Sequence, residues 1–103
     1  LAQEDTVTAA QLAAASRVLS NPNRLRIYQV IVDHRRRHGQ ADRTMVQAGC
    51  AFAGFMQRLN IGASTLSYHV RELSVTGLIR VERENRRRFC HAESIMQSRL
   101  AHF

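Results

Sequence analysis

The chain predicts a mainly α (α+β) fold with five helices and a two-stranded β hairpin, in the order four helices, two strands, one helix. Three observations carry that expectation: a helical apolar stripe at Leu66, Val70 and Leu73, a glycine stop at Gly77, and a strand pattern that follows at once, its turn loaded with arginine. The 103 residues suit one domain over 1–103 and are too few for two. Hydrophobic residues at 45% and charged ones at 22% are ordinary for a globular chain and argue against disorder. No apolar run approaches the roughly 20 residues that span a bilayer, so solubility is expected.

Charge is one-sided. The 15 basic residues exceed the 8 acidic ones to give +7, and every basic residue is Arg. Codon bias alone produces an all-arginine inventory; the positive excess is the physical signal, because it attracts a phosphate backbone and releases its counterions. A membrane surface would attract it too, but no basic amphipathic helix with an aromatic-rich apolar face is present.

The elements follow in order. Thr6 suits the N-cap of an Ala-rich helix running to about Leu19, with a thin stripe of Leu12, Ala15 and Leu19. Asn21-Pro22 restarts the chain, Asn as cap and Pro at the first helical position, and Leu25, Tyr28, Ile31 and Val32 form the expected buried stripe of the second helix. HRRRHGQADR, 34 to 43, lacks periodicity and reads as a loop or surface extension. A third helix is expected from about Val46 to Leu59, with Phe52, Phe55, Met56 and Leu59 inward. Asn60 tolerates the left-handed conformation that would end it, Ile61 folds back towards Met56, and Gly62 caps the next helix.

In that fourth helix a 100° advance per residue sets Ser64, Tyr68 and Arg71 opposite the apolar stripe, with Ser67 and Glu72 beside them and Thr65 nearer the edge. Hydroxyls, a guanidinium and a flat aromatic with a polar tip are groups that reach phosphates and base edges. His69 leans to the buried side and reads as a packed, hydrogen-bonded histidine. Gly77 falls at the left-handed position after the helix, with Leu78 able to touch Leu73 across the stop.

Leu78, Ile79 and Val81 begin a strand, and Phe89 answers it across a turn at Glu84-Asn85-Arg86, where Asn85 supplies tolerance of positive φ. Arg83, Arg86, Arg87 and Arg88 crowd the tip. Such like charges repel unless an anion compensates, as a phosphate backbone or a narrow minor groove does. A rod sized for a major groove beside a cationic finger implies a double-stranded DNA-binding surface. Glu93 to Phe103 reads as a last short helix with Met96, Leu100 and Phe103 on one side. Apolar faces at both chain ends, each thin for one copy, suggest a homodimer.

LSNPNRLRIYQVI at 19 to 31 resembles the opening of the second helix in the ArsR/SmtB family of bacterial repressors. ASTLSYHVRELSVTGLIRVERENRRRFC at 63 to 90 is similar to that family's recognition helix, glycine turn and wing. The resemblance implies a winged helix-turn-helix. It further implies a homodimer built on the first and last helices, which binds a palindromic operator and represses transcription until an inducer lowers affinity. By the same likeness Ser64, Thr65, Ser67, Tyr68 and Arg71 fall at DNA-reading positions, and Arg83, Arg86, Arg87 and Arg88 in the wing.

The sensor departs from the family pattern. Metal-sensing members carry a CxC-type thiolate pair on the third helix, whereas Cys50 has no partner two residues away; His91, Glu93 and His102 do not match the paired Asp and His ligands of the last helix. His34 and His38 are four apart, but three intervening arginines oppose a cation, so no metal site and no resident cofactor are expected. Cys50 and Cys90 are either two small, partly buried thiols or a sensor of an oxidant, reactive sulfur, an electrophile, or a thiophilic metal or metalloid. With no CxxC pair and no secretory signal, a reducing cytoplasm is expected. The alternative function is a protein-contact module in which Tyr68 and the wing meet an acidic partner. An enzyme is not expected, because arginine is the only clustered ionisable residue and its pKa suits neither acid nor base work.

Overall fold

The computed structural model describes residues 7–38, 50–51, 54 and 58–101. Helix α1, Ala9–Leu19, begins at a reciprocal cap: Thr8 Oγ1 accepts from the Gln11 N–H at 3.1 Å while Gln11 Oε1 accepts from the Thr8 N–H at 2.8 Å. The cap is therefore Thr8, not Thr6. Three residues beyond Thr6 stands Ala9, which has no group to reach back.

Helix α2 spans Pro22–His38, and Asn21 Oδ1 accepts from the Asn23 and Arg24 N–H groups at 2.9 and 3.2 Å. It continues through 34–38, where a loop was expected. Arginine favours helix, Asp33 and Arg37 pair at 2.8 Å one turn apart, and no glycine intervenes before Gly39. The buried stripe is Ile27, Tyr28 and Ile31; Val32 is only half-buried and Leu25 is 38% exposed. Core packing selects the face one residue round from the one expected.

A short strand, β1 (Cys50–Ala51), replaces the start of the helix expected over 46–59. It pairs antiparallel with a later strand, so its conformation is set by partners forty residues away that local periodicity does not register. Phe52, Phe55 and Met56 lie outside the described residues, whereas Gly54, Arg58 and Leu59 have helical backbone and Asn60 takes the left-handed φ of 54°.

Helix α3, Ala63–Val75, is the one expected fourth. It starts at Gly62 and buries Leu66, His69, Val70 and Leu73. It ends in a Schellman turn: the Leu78 N–H donates to Leu73 O and the Gly77 N–H to Ser74 O, both at 3.1 Å, with Gly77 at φ 82°. Strand β2, Ile79–Glu84, then pairs with β3, Arg87–Ala92. The loop is two residues rather than three. Asn85 and Arg86 both have positive φ, 53° and 71°, the primed-turn geometry whose twist matches a hairpin, and Glu84 pairs with Arg87.

Helix α4, Ser94–Ala101, closes the described chain, with Glu93 before it and His102 and Phe103 outside the described residues. Among the described residues four helices are delimited, where five were expected over the whole chain, and the sheet has three strands in the order β1-β3-β2 rather than two. The core joins α1, α2, α3, the hairpin root and Met96 of α4. Ile27, Ile31, Leu66, Leu73, Leu78 and Ile79 are fully buried within it. That packing fixes one side of α3 and leaves the other to solvent.

Candidate nucleic-acid interface

On the free side of α3, Ser64, Thr65 and Arg71 are exposed, Ser67 is half-buried and Tyr68 is 55% exposed. None of these side chains is needed to bury Leu66, Val70 or Leu73. Hydroxyl, phenol and guanidinium groups therefore lie along one solvent-facing rod.

The hairpin divides its arginines. Arg83 and Arg88 are register partners and so share a face, where like charges directly opposite are destabilising. Arg87 lies on the other face with its guanidinium 5.7 Å from the Phe89 ring centroid, while Arg86 occupies the turn itself. Arg83, Arg86 and Arg87 are exposed and Arg88 is half-buried. Nearer the root, Arg80 meets Glu82 and Glu93, each at 3.3 Å, so its charge is answered within the protein. Exposed arginine is thus concentrated at the tip.

A residue not anticipated joins α3. Arg24, from the first turn of α2, donates through Nε to His69 Nδ1 at 3.1 Å and sets its guanidinium 5.2 Å from the Tyr68 ring centroid. Tyr68 and His69 are themselves tilted at 55° with centroids 5.5 Å apart. Burial first, then the Arg24 charge, push the His69 pKa below its ordinary value against the opposing pull of Glu72, so the imidazole is neutral at pH 7 and can accept. The signal was available: Arg24 falls three and four residues before Ile27 and Tyr28, on the stripe that faces the core.

The helix-turn-helix domain family matches residues 19–82, from the end of α1 into β2. The chain belongs to this ArsR-type helix-turn-helix family. Membership makes it a DNA-binding transcriptional regulator. Among solved structures it is similar to HlyU from Vibrio cholerae, at 18% identity and a TM-score of 0.66, covering 91% of this chain and 90% of that one. It is also similar to an ArsR family transcriptional regulator, at 16% identity and a TM-score of 0.63, covering 94% and 90%. No curated protein matches the sequence. The family match ends at Glu82, before the arginine-rich tip.

Away from that surface, the ArsR-type chain brings its two cysteines to one rung, Cys50 opposite Cys90. A two-residue loop makes Glu84 and Arg87 a hydrogen-bonded pair, and the alternation of an antiparallel ladder then makes Val81 and Cys90 a non-hydrogen-bonded one. The backbone groups of Cys90 therefore turn towards Cys50, giving a hydrogen-bonded rung with Cα atoms about 5.5 Å apart. Cys90 is 1% exposed. Beside it on β3, His91 lies 3.3 Å from Glu82 Oε1; burial foremost, and Arg80 next, lower its pKa.

Proposed function

We propose that two copies of this chain form a cytoplasmic repressor that lays each α3 in the major groove of a palindromic operator. Ser64, Thr65, Ser67, Tyr68 and Arg71 read base edges and nearby phosphates, while Arg83, Arg86, Arg87 and Arg88 grip the flanking backbone. The observation that carries this reading is the exposed polar rod of α3, set rigidly on the core and followed without a break by the cationic hairpin. The names of its structural neighbours, a transcriptional regulator among them, agree with it. Dimerisation accounts for the apolar groove lined by Leu19, Leu25, Val32 and Leu100, at the junction of α1, α2 and α4. The whole span 1–103 then acts as one DNA-binding domain whose terminal helices hold the partner.

Release from DNA is assigned to Cys50 and Cys90. A peroxide would take two electrons and two protons from the pair, leaving a disulfide and two waters; reactive sulfur or a thiophilic metalloid would engage the same rung. Either outcome ties β1 to the central strand of the wing.

Duplexes selected from a random-sequence pool test the reading. The selected sequence should bind with a steep salt dependence, Arg86→Ala with Arg87→Ala should weaken every duplex alike, and Arg71→Ala or Tyr68→Ala should also relax preference. Wing variants that bind as tightly as the parent at all salt concentrations would remove the wing from the interface. Sedimentation showing only monomer at micromolar concentration would remove the dimer, whose two α3 rods should sit about 34 Å apart. A Cys50→Ser, Cys90→Ser variant still released by peroxide would remove the thiol pair.

A further inference from the structure

We infer that Arg24 is a positioning residue for base reading: its bond to His69 and its cation–π contact with Tyr68 hold the Tyr68 ring at one angle on the DNA-facing side of α3. The inference rests on the reading of that face given above and adds a residue from another helix to it.

The chemistry is directional. Guanidinium Nε–H can only donate, so His69 Nδ1 must carry a lone pair and the imidazole proton must sit on Nε2. Arg24 is itself fixed at the start of α2, where its N–H donates to Asn21 Oδ1, and Ile27 and Tyr28 anchor the following turn in the core. A guanidinium held at both its root and its Nε presents its plane at a set place, and Tyr68, otherwise 55% exposed and free to swing, has that plane for a neighbour. An exposed aromatic that swings spreads its contacts over several geometries; one held at a single angle discriminates between bases.

Two other sources of an Arg24 effect are separable from this. A phosphate contact needs only a positive charge and acts on all sequences equally, so Arg24→Lys would preserve it. A purely structural role would alter stability without altering the ratio of affinities for the selected duplex and its single-base variants. Positioning requires the Nε bond and the planar group together. Lysine supplies neither.

The test measures that affinity ratio in the parent, Arg24→Met, Arg24→Lys and His69→Asn, and follows the NMR titration of His69 in the three that keep it. The expected result is that Arg24→Met and Arg24→Lys each reduce discrimination about tenfold and that Arg24→Met, which removes the charge, raises the His69 midpoint, whereas His69→Asn, which keeps an acceptor near the Nδ1 position, retains discrimination. In the parent the ratio should fall as pH drops from about 7.5 to about 5, because a protonated His69 offers Arg24 a second donor and a like charge. It should be flat in His69→Asn. An unmoved His69 midpoint in Arg24→Met overturns the inference at the clamp, and a moved midpoint with unchanged discrimination overturns it at the DNA. The result that would sink the reading of α3 is different: Tyr68→Ala, Ser64→Ala and Arg71→Ala all leaving the ratio untouched.

Discussion

Helix α3 and the tip of the hairpin both present cationic and polar groups to solvent, but they are supported in opposite ways. Leu66 and Leu73 are wholly buried beneath α3 and its end is tied by two backbone bonds. The tip has Arg83 facing Arg88 across a rung and two consecutive residues in the left-handed region, one of them an arginine. The first is a rigid element whose exposed face is independent of its buried one. The second holds conformational strain at two left-handed residues and carries its arginines close together. The difference suits the division proposed for them, since reading bases needs fixed geometry while gripping a backbone needs charge within reach.

The largest expected effect comes from removing the platform of α3. Leu73→Ala should lower unfolding free energy by about 2–5 kcal/mol in denaturant titrations, because the site is fully enclosed by core side chains. A loss under about 1 kcal/mol would mean the rod is held mainly by its ends. Next is the stop itself. A Cβ at Gly77 would meet only Met96 Cε at 3.8 Å, ordinary contact, so the cost of Gly77→Ala is that of the φ of 82°, about 1–2 kcal/mol. A melt unchanged by that substitution would show that the turn had relaxed elsewhere.

The tip should respond in the reverse sense. Arg86→Gly relieves a left-handed arginine and should stabilise the protein by up to about 1 kcal/mol. It should at the same time weaken binding to every duplex. A variant that is both more stable and equally tight would make the strain accidental.

The smallest effect is pH-dependent. The pKa values of His69 and His91 are both held below the ordinary value in the folded state, chiefly by burial, so the unfolded chain binds protons first as pH falls. Their stabilisation is complete above about pH 6.5 and is lost as pH drops through the folded values. Thermal melts between pH 7.5 and 5, with His69→Asn and His91→Gln flattening the decline, check the sign.

How far these two regions could be read beforehand follows from where their information lies. The α3 stripe, the Gly77 stop and the Asn85 turn are local: each is written in residues within a turn or two of one another. Strand β1 is not, because Cys50 and Ala51 are extended only through pairing with Cys90 and Phe89. Helix α2 carries on through His34 and the arginines after it without apolar periodicity, so propensity and the Asp33–Arg37 pair sustain a segment that looks like loop. Leu25 and Ile27 lie on nearly opposite sides of α2, flanking Tyr28 and Ile31, and only tertiary packing selects between them. On the site, the exposed side of α3 follows from helix geometry alone. Arg24 did not, because a charged residue on an apolar stripe looks like an interruption until its partner on another helix is known.

The strand order carries one last consequence. With β3 flanked on both sides, β2 is one of the two edges of the sheet among the described residues, and its backbone there forms a template onto which a neighbouring molecule could add. Arg80, Glu82 and Arg83 populate that margin in close succession, and any incoming strand would have to strip water from them. The same hairpin proposed to grip the DNA backbone thereby discourages filament growth between its own copies.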